Sequence, residues 1–256
     1  MSGWTYRSFF NTLLAVGTIV AVLASSAVQA KAAEVRVAVA ANFSDAAKEI
    51  GALFEAESGY RPLFSFGATG QLYTQIAQGA PFDVFLAADQ ARPKRAVAEG
   101  LAVADSRFTY ARGRLALFSR DDGRITGEAI LRDGAFAKLA IANPRTAPYG
   151  AAALEALQAL GLREALESKL VQGNNASQVF QFVATGNAEV GFVALSQLAV
   201  REGGSHWVVP SKLHSPIAQD AVLLTAGEES EMARAFLDFL KSDAARAVLA
   251  RYGYEG

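Results

Sequence analysis

Four stretches rich in small, hydrogen-bonding residues lead into helical patterns: "AANFSDA" with Asn42, "FGATGQL" with Thr69, "NPRTAPYG" with Thr146, Pro148 and Tyr149, and "GNNASQ" with Asn174, Asn175 and Ala176. The start of a helix leaves backbone N–H groups unpaired and carries about half a positive charge from its aligned dipoles. Several such ends facing one crevice can bind a doubly negative ion without any Lys or Arg. Taken singly, Asn, Thr and Ser here read first as ordinary N-caps, each stabilising its helix by ~1 kcal/mol. Pro148 also suits the first turn of a helix. The ligand reading therefore rests on the combination, and on glycines in "FGATGQL" that would let a backbone come close. That stretch is not a phosphate-binding P-loop, because no Lys follows its second Gly.

The elements that must position these residues alternate along the chain. Residues 35–41 read as a buried strand, and Phe43, Ala46, Ala47, Ile50 and Phe54 recur at helical spacing after it. "RPLFSF" reads as a second strand followed by a helix through Leu72, Ile76 and Ala77. "FDVFLAA" over 82–88 reads as a third strand, with "DQARPKRAVAEG" a helix closed by Gly100. Three strand-helix units in a row predict a parallel sheet covered by helices.

After "SRFTYARGRLALFSR", near residue 112, the theme restarts. "LAIANP" reads as a strand, 149–160 and 163–170 as helices, "SQVFQFVATG" as a helix and "AEVGFVAL" as a strand. "DAVLLTA" is strand-like, and "MARAFLDFLKSDAARAVLARYG" reads as two closing helices. The restart predicts two α/β lobes on one chain, with the last strand and helices returning to the first.

The N-terminus reads as a secretory leader: Arg7, an apolar run over 13–23, then small residues and "VQA" at 28–30. Cleavage is expected near Ala30. The apolar run is short for a membrane span of ~20 residues, and no Cys is present for a lipid anchor. An exported protein of 256 residues with zero Cys has no disulfides, thiolate metal sites or cysteine nucleophile, and must rely on its core. Lys+Arg 24 against Asp+Glu 25 leaves the chain near neutral, without the basic face that nucleic acid requires.

The stretches "VAVAANFSDAAKEI", "FGATGQLYTQIAQGAPFDVFLAADQ", "NPRTAPYGAAALEALQALG", "GNNASQ", "GFVALSQL" and "FLKSDAARAVLARYGY" resemble the periplasmic molybdate-binding proteins of molybdate ABC transporters. The resemblance spans nearly everything after the leader. It implies a two-lobed type II periplasmic binding fold, each lobe a mostly parallel sheet flanked by helices, with the ligand cleft between the lobes. Lobe 1 is expected from 31–112 plus 213–256, and lobe 2 from 113–212. The implied role is capture of molybdate or tungstate and delivery to an ABC permease whose ATPase is a separate chain, with no enzymatic activity and no cofactor.

Carried over by position, the resemblance implies ligand contacts at Asn42, where relatives often have Ser and an amide would replace the hydroxyl donor, and at Thr69, also often Ser. Tyr149 and Ala176 match positions that donate backbone N–H groups, and Tyr149 offers its phenol besides. Ala194 stands where many relatives carry a ligand-binding Tyr, and it has no side-chain donor. That departure leaves fine selectivity open, with Tyr149 as the compensating group.

Two other readings stand beside this one: a binding protein for sulfate, another oxyanion or an organic acid, and an exported hydrolase. An organic acid usually calls for an Arg gripping its carboxylate, and none sits at these positions. A hydrolase needs a nucleophile with an aligned base, and no G-x-S-x-G occurs. His206 and His214 match no zinc spacing. Tyr252 and Tyr254 are not the adjacent pair an iron site would use, and Asp83 and Asp89 read as strand and helix caps. No oligomerisation signal stands out, so a monomer is the expectation.

Overall fold

The computed structural model describes residues 33–255. The leader expected over 1–30, with its cleavage near Ala30, lies outside the described residues. In chain order the first part comprises β1 (Glu34–Ala40), α1 (Ser44–Ser58), β2 (Arg61–Gly67), α2 (Thr69–Ala77), β3 (Val84–Leu86), α3 (Ala91–Ala98) and β4 (Phe108–Gly113). The middle part comprises β5 (Leu115–Ser119), α4 (Ala129–Asp133), β6 (Leu139–Ala142), α5 (Pro148–Ala159), α6 (Arg163–Leu166), β7 (Leu170–Gly173), α7 (Ala176–Ala184), β8 (Val190–Ala194) and β9 (Ser205–Val208). The last part is β10 (Ile217–Leu223), α8 (Glu231–Phe239) and α9 (Asp243–Arg251).

These strands form two five-stranded sheets, in the orders β2-β1-β3-β10-β4 and β7-β6-β8-β5-β9. In the first, β1 runs parallel to β2 and β3 while β10 is antiparallel to β3 and β4. In the second, β6 is parallel to β7 and β8 while β5 is antiparallel to β8 and β9. Each sheet is therefore mixed, less parallel than the alternating pattern predicts. The reason is the crossing between sheets. Only Arg114 separates β4 from β5, so nearly continuous strand carries the chain across; β9 pairs beside β5, and β10 returns beside β4. Chain running out and chain running back, side by side, must be antiparallel.

Both faces of each sheet are covered, which is why the short central strands β3, β6 and β8 read as unbroken apolar runs. On one face of the first sheet Val35, Val37 and Val39 meet Ile50 and Phe54 of α1 and Phe236 of α8. On its other face Ala38, Phe85 and Val222 meet Leu72 and Ile76 of α2. The second sheet is packed likewise, with Leu117, Leu139 and Phe192 on one face and Val179, Val183 and Val193 on the other. Three local details differ from the sequence reading. The helix expected to reach 170 stops at Leu166 and finishes as a 3-10 turn over Glu167–Lys169, β10 begins at Ile217 rather than Asp220, and β9 and α4 carry too short a pattern to stand out.

Phe236 is fully buried, and its ring meets that of Phe54 edge-on with centroids 5.2 Å apart. Phe236→Ala is expected to cost ~3–5 kcal/mol of folding stability through lost burial and a residual cavity, read as a lower urea midpoint with an unchanged slope.

Candidate functional site

Open α/β sheets place ligands beyond the carboxyl ends of their strands, and four strands here pass into helices at such ends. β1 leads through a 3-10 turn at Ala41–Phe43 into α1, β2 into α2, β6 into α5 and β7 into α7. Asn42, Thr69, Tyr149 and Ala176, one from each junction, line a single small cavity between the sheets. Their N–H groups fall in first turns, where a helix has no acceptor of its own to offer. The walls are completed by small or rigid residues, among them Ala40, Ala68, Ala88, Ala147 and Pro148, and no charged side chain lines it. The cavity is small, about 10 Å³, roughly the room a single water needs, and far below the ~300–1,000 Å³ of sites for drug-sized molecules. Larger depressions, of about 590 Å³ beside Arg112 and Lys212 and about 840 Å³ beside Arg120 and Arg201, are bordered by charged side chains and gather no α-helix N-terminus.

Close packing brings the four ends together. At the start of α5, a Cβ on Gly150 would lie 2.0 Å from the carbonyl oxygen of Ala142 at the end of β6, so only glycine lets the helix begin that near the strand. Asn175 is a true N-cap of α7, its side chain accepting from Gln178 N–H at 3.0 Å. Asn42 and Thr69 are not caps. The Thr69 hydroxyl, 1% exposed, accepts the N–H of Ala88 at 3.0 Å, which leaves its own proton to donate.

Asn42 departs from the expected role. Its amide nitrogen donates to Gln219 Oε1 at 2.9 Å and to the Tyr254 hydroxyl at 3.3 Å, so both amide hydrogens have partners inside the protein. The Tyr254 hydroxyl in turn reaches Ser196 Oγ at 3.0 Å, and Ser196 donates to the Asn42 carbonyl at 3.0 Å. This closed ring joins the turn after β1, the turn after β8 and the segment after α9. The amide of Asn42 is thus committed to Gln219 and Tyr254, which leaves its main-chain N–H as the group to face a ligand.

The phenol of Tyr149 belongs to the same buried layer. Gln219 Nε2 donates to it at 3.4 Å, and it lies 2.1 Å from where a Cβ on Gly113 would stand. Tyr110 adds a third phenol, reaching Gln219 Oε1 and the Ala87 carbonyl at 3.2 Å each. Gln219, Tyr254, Ser196 and Tyr110 escape a sequence reading, because nothing local distinguishes them from core or surface residues. Ala194, the fifth candidate, is not among the residues lining the cavity. It ends β8 fully buried, with its N–H donating to Gln197 Oε1 at 3.1 Å.

The residues set aside lie elsewhere. His206 pairs with Phe118 across β9 and β5, and a ring nitrogen of His214 sits 2.8 Å from the Ser215 carbonyl. Among the described residues no three His, Cys, Asp or Glu converge as a metal site would require. Asp83 accepts the N–H of Arg36 in β1 at 2.7 Å, and Asp89 accepts that of Arg92 in the first turn of α3 at 2.9 Å.

Two α/β sheets with a small uncharged cavity between their strand ends define a two-lobed solute-binding protein. The chain belongs to the bacterial extracellular solute-binding protein family, whose sequence model matches residues 35–255. It is 53% identical to the molybdate-binding protein ModA of Rhodobacter capsulatus over 246 residues, covering 96% of this chain and 98% of that one. The solved periplasmic molybdate-binding protein of Azotobacter vinelandii superposes with a TM-score of 0.84 at 35% identity, covering 87% of this chain and 99% of that one. The sulfate-binding protein SubI of Mycobacterium tuberculosis H37Rv, 14% identical with a TM-score of 0.74 over 87% of this chain and 86% of its own, shares the fold alone. The likeness bears out the two-lobed α/β reading and a binding rather than an enzymatic role.

Burial pushes the hydroxyls of Tyr110, Tyr149 and Tyr254 above the ordinary tyrosine range, although hydrogen bonds with Ser196 and Asn42 partly offset this at Tyr254. Folded values above the unfolded ones mean that the stabilisation is complete below about pH 10 and is lost as pH rises through the folded values. Unfolding free energy is therefore expected to fall above about pH 10, by up to ~1.4 kcal/mol per pH unit for each such tyrosine. Denaturant titrations at rising pH measure this, and Tyr254→Phe should remove one tyrosine's contribution to the slope.

Proposed function

We propose that this chain captures molybdate, with tungstate as the equivalent cargo, and carries it to an ABC permease driven by a separate ATPase chain. The carrying observation is the small uncharged cavity lined by first-turn residues from both sheets. A bare dianion in an apolar medium would cost on the order of tens of kcal/mol, and only donors fixed in advance can replace its water. The donors assigned are the N–H groups of Asn42, Thr69, Tyr149 and Ala176 and the Thr69 hydroxyl. Charge-assisted, each is stronger than a neutral hydrogen bond. The relatives named for molybdate support the choice of ion.

In this reading lobe 1 is built from 31–112 and 213–256 and lobe 2 from 113–212. The ion favours the closed arrangement, because only there do both lobes reach it. The permease then recognises the closed form. The leader is removed near Ala30, and the protein works in the periplasm as a monomer. A donor-only wall disfavours a protonated phosphate, which needs an acceptor for its hydrogen. Sulfate, equal in charge but smaller, makes the same contacts less closely.

Dialysed protein screened by thermal shift and calorimetry tests the assignment, since stabilisation follows ligand concentration over Kd, reaching about 4.1 kcal/mol at 1,000 Kd. Molybdate and tungstate should raise the melting temperature and sulfate and phosphate should not; no shift with either metal oxyanion would defeat the proposal. Thr69→Ser keeps a hydroxyl for both Ala88 and the ion and should bind close to wild type, whereas Thr69→Ala should weaken binding by about tenfold or more, the loss of one bond to a charged group.

A further inference from the structure

One segment of the cavity wall is fastened from outside. The loop over 143–148 supplies Ala147 and Pro148 to the wall. Two hydrogen bonds tie this loop to helices of the first sheet. The N–H of Gly70, in the first turn of α2, donates to the Thr146 carbonyl at 2.8 Å. Arg92 of α3 donates Nη2 to the Arg145 carbonyl at 2.9 Å. The guanidinium is itself aimed by Asp89, whose carboxylate pairs with Nη1 and accepts the main-chain N–H of Arg92. Both side chains are largely shielded, 27% and 17% exposed.

We propose that Arg92, oriented by Asp89, is a positioning residue that latches the 143–148 loop over bound oxyanion and sets the rate at which the ion leaves. The inference rests on the oxyanion reading of the cavity and adds a residue that does not touch the ion. A planar guanidinium can serve a carboxylate on its own side of the cleft and a carbonyl on the other at once, which a single ammonium does poorly. A second fastening belongs to α7, where Ser177 Oγ donates to the Ala41 carbonyl at 3.0 Å. Departure requires these cross-cleft bonds to break, whereas arrival meets an open cleft in which the latch is not yet made. Release is therefore the step Arg92 governs.

Gly70 marks the same contact from the side of shape. A Cβ there would lie 3.0 Å from Thr146 Cα and 3.2 Å from both its carbonyl oxygen and Arg92 Nη2, so the lobes would have to part by a few tenths of an ångström and the guanidinium to shift with them. Alanine is the better helix former, so Gly70→Ala obstructs closure without weakening α2.

The test loads the protein with radioactive molybdate and follows its loss into excess unlabelled molybdate. Arg92→Ala should release the ion about tenfold faster or more, with association changed by no more than about twofold. Arg92→Lys should fall between Arg92→Ala and wild type. Gly70→Ala should bind more weakly while the melting temperature of the ligand-free protein holds or rises. Wild-type release rates in Arg92→Ala would overturn the inference alone, and so would a loss confined to association. Wild-type protein that retains neither molybdate nor tungstate would overturn the oxyanion reading and the latch with it.

Discussion

A doubly negative ion in a dry cavity needs dipoles fixed in advance, and that need dictates the architecture around this site. With no charged side chain in the wall, the positive ends must come from the backbone. Backbone donors point outward together at helix starts, and here four helix starts converge where the carboxyl ends of two sheets face each other. The small wall residues follow from the same need. Side chains larger than those of Ala40, Ala68, Ala88 and Ala147 would hold the helix ends away from the ion.

Beneath the cavity the same logic runs without net charge. Asn42, Gln219, Tyr254, Ser196, Tyr149 and Tyr110 satisfy one another with amides and hydroxyls. A buried polar layer is stable only when its members are paired. A neutral layer also leaves no carboxylate directly below an anion. The nearest buried acid in that strand, Asp220, is paired with Arg107 and accepts from Thr109 at 2.7 Å.

The sequence is most legible where structure is local. β1 and β6 announce themselves because strands covered on both faces are apolar at nearly every position, and the helix starts leave Asn, Thr, Pro and Gly as marks. The crossing strands are less legible, since β9 is four residues whose pairing is decided by β5, with His206 opposite Phe118, 88 positions back. The floor of the site is illegible for the same reason: Asn42 meets Ser196, Gln219 and Tyr254 at separations of 154, 177 and 212 residues. Hence Asn42 reads as a ligand amide, while the folded chain turns that amide toward Gln219.

The two sheets differ in how the chain supplies them. The second is drawn from one unbroken stretch, β5 to β9, whereas the first waits for β10 to enter between β3 and β4. A chain emerging amino end first, as through a translocation pore, can complete its middle lobe while the opening lobe still lacks a central strand. The ring through Tyr254 forms later again. The first sheet is thus complete only once β10, near the end of the chain, is in place.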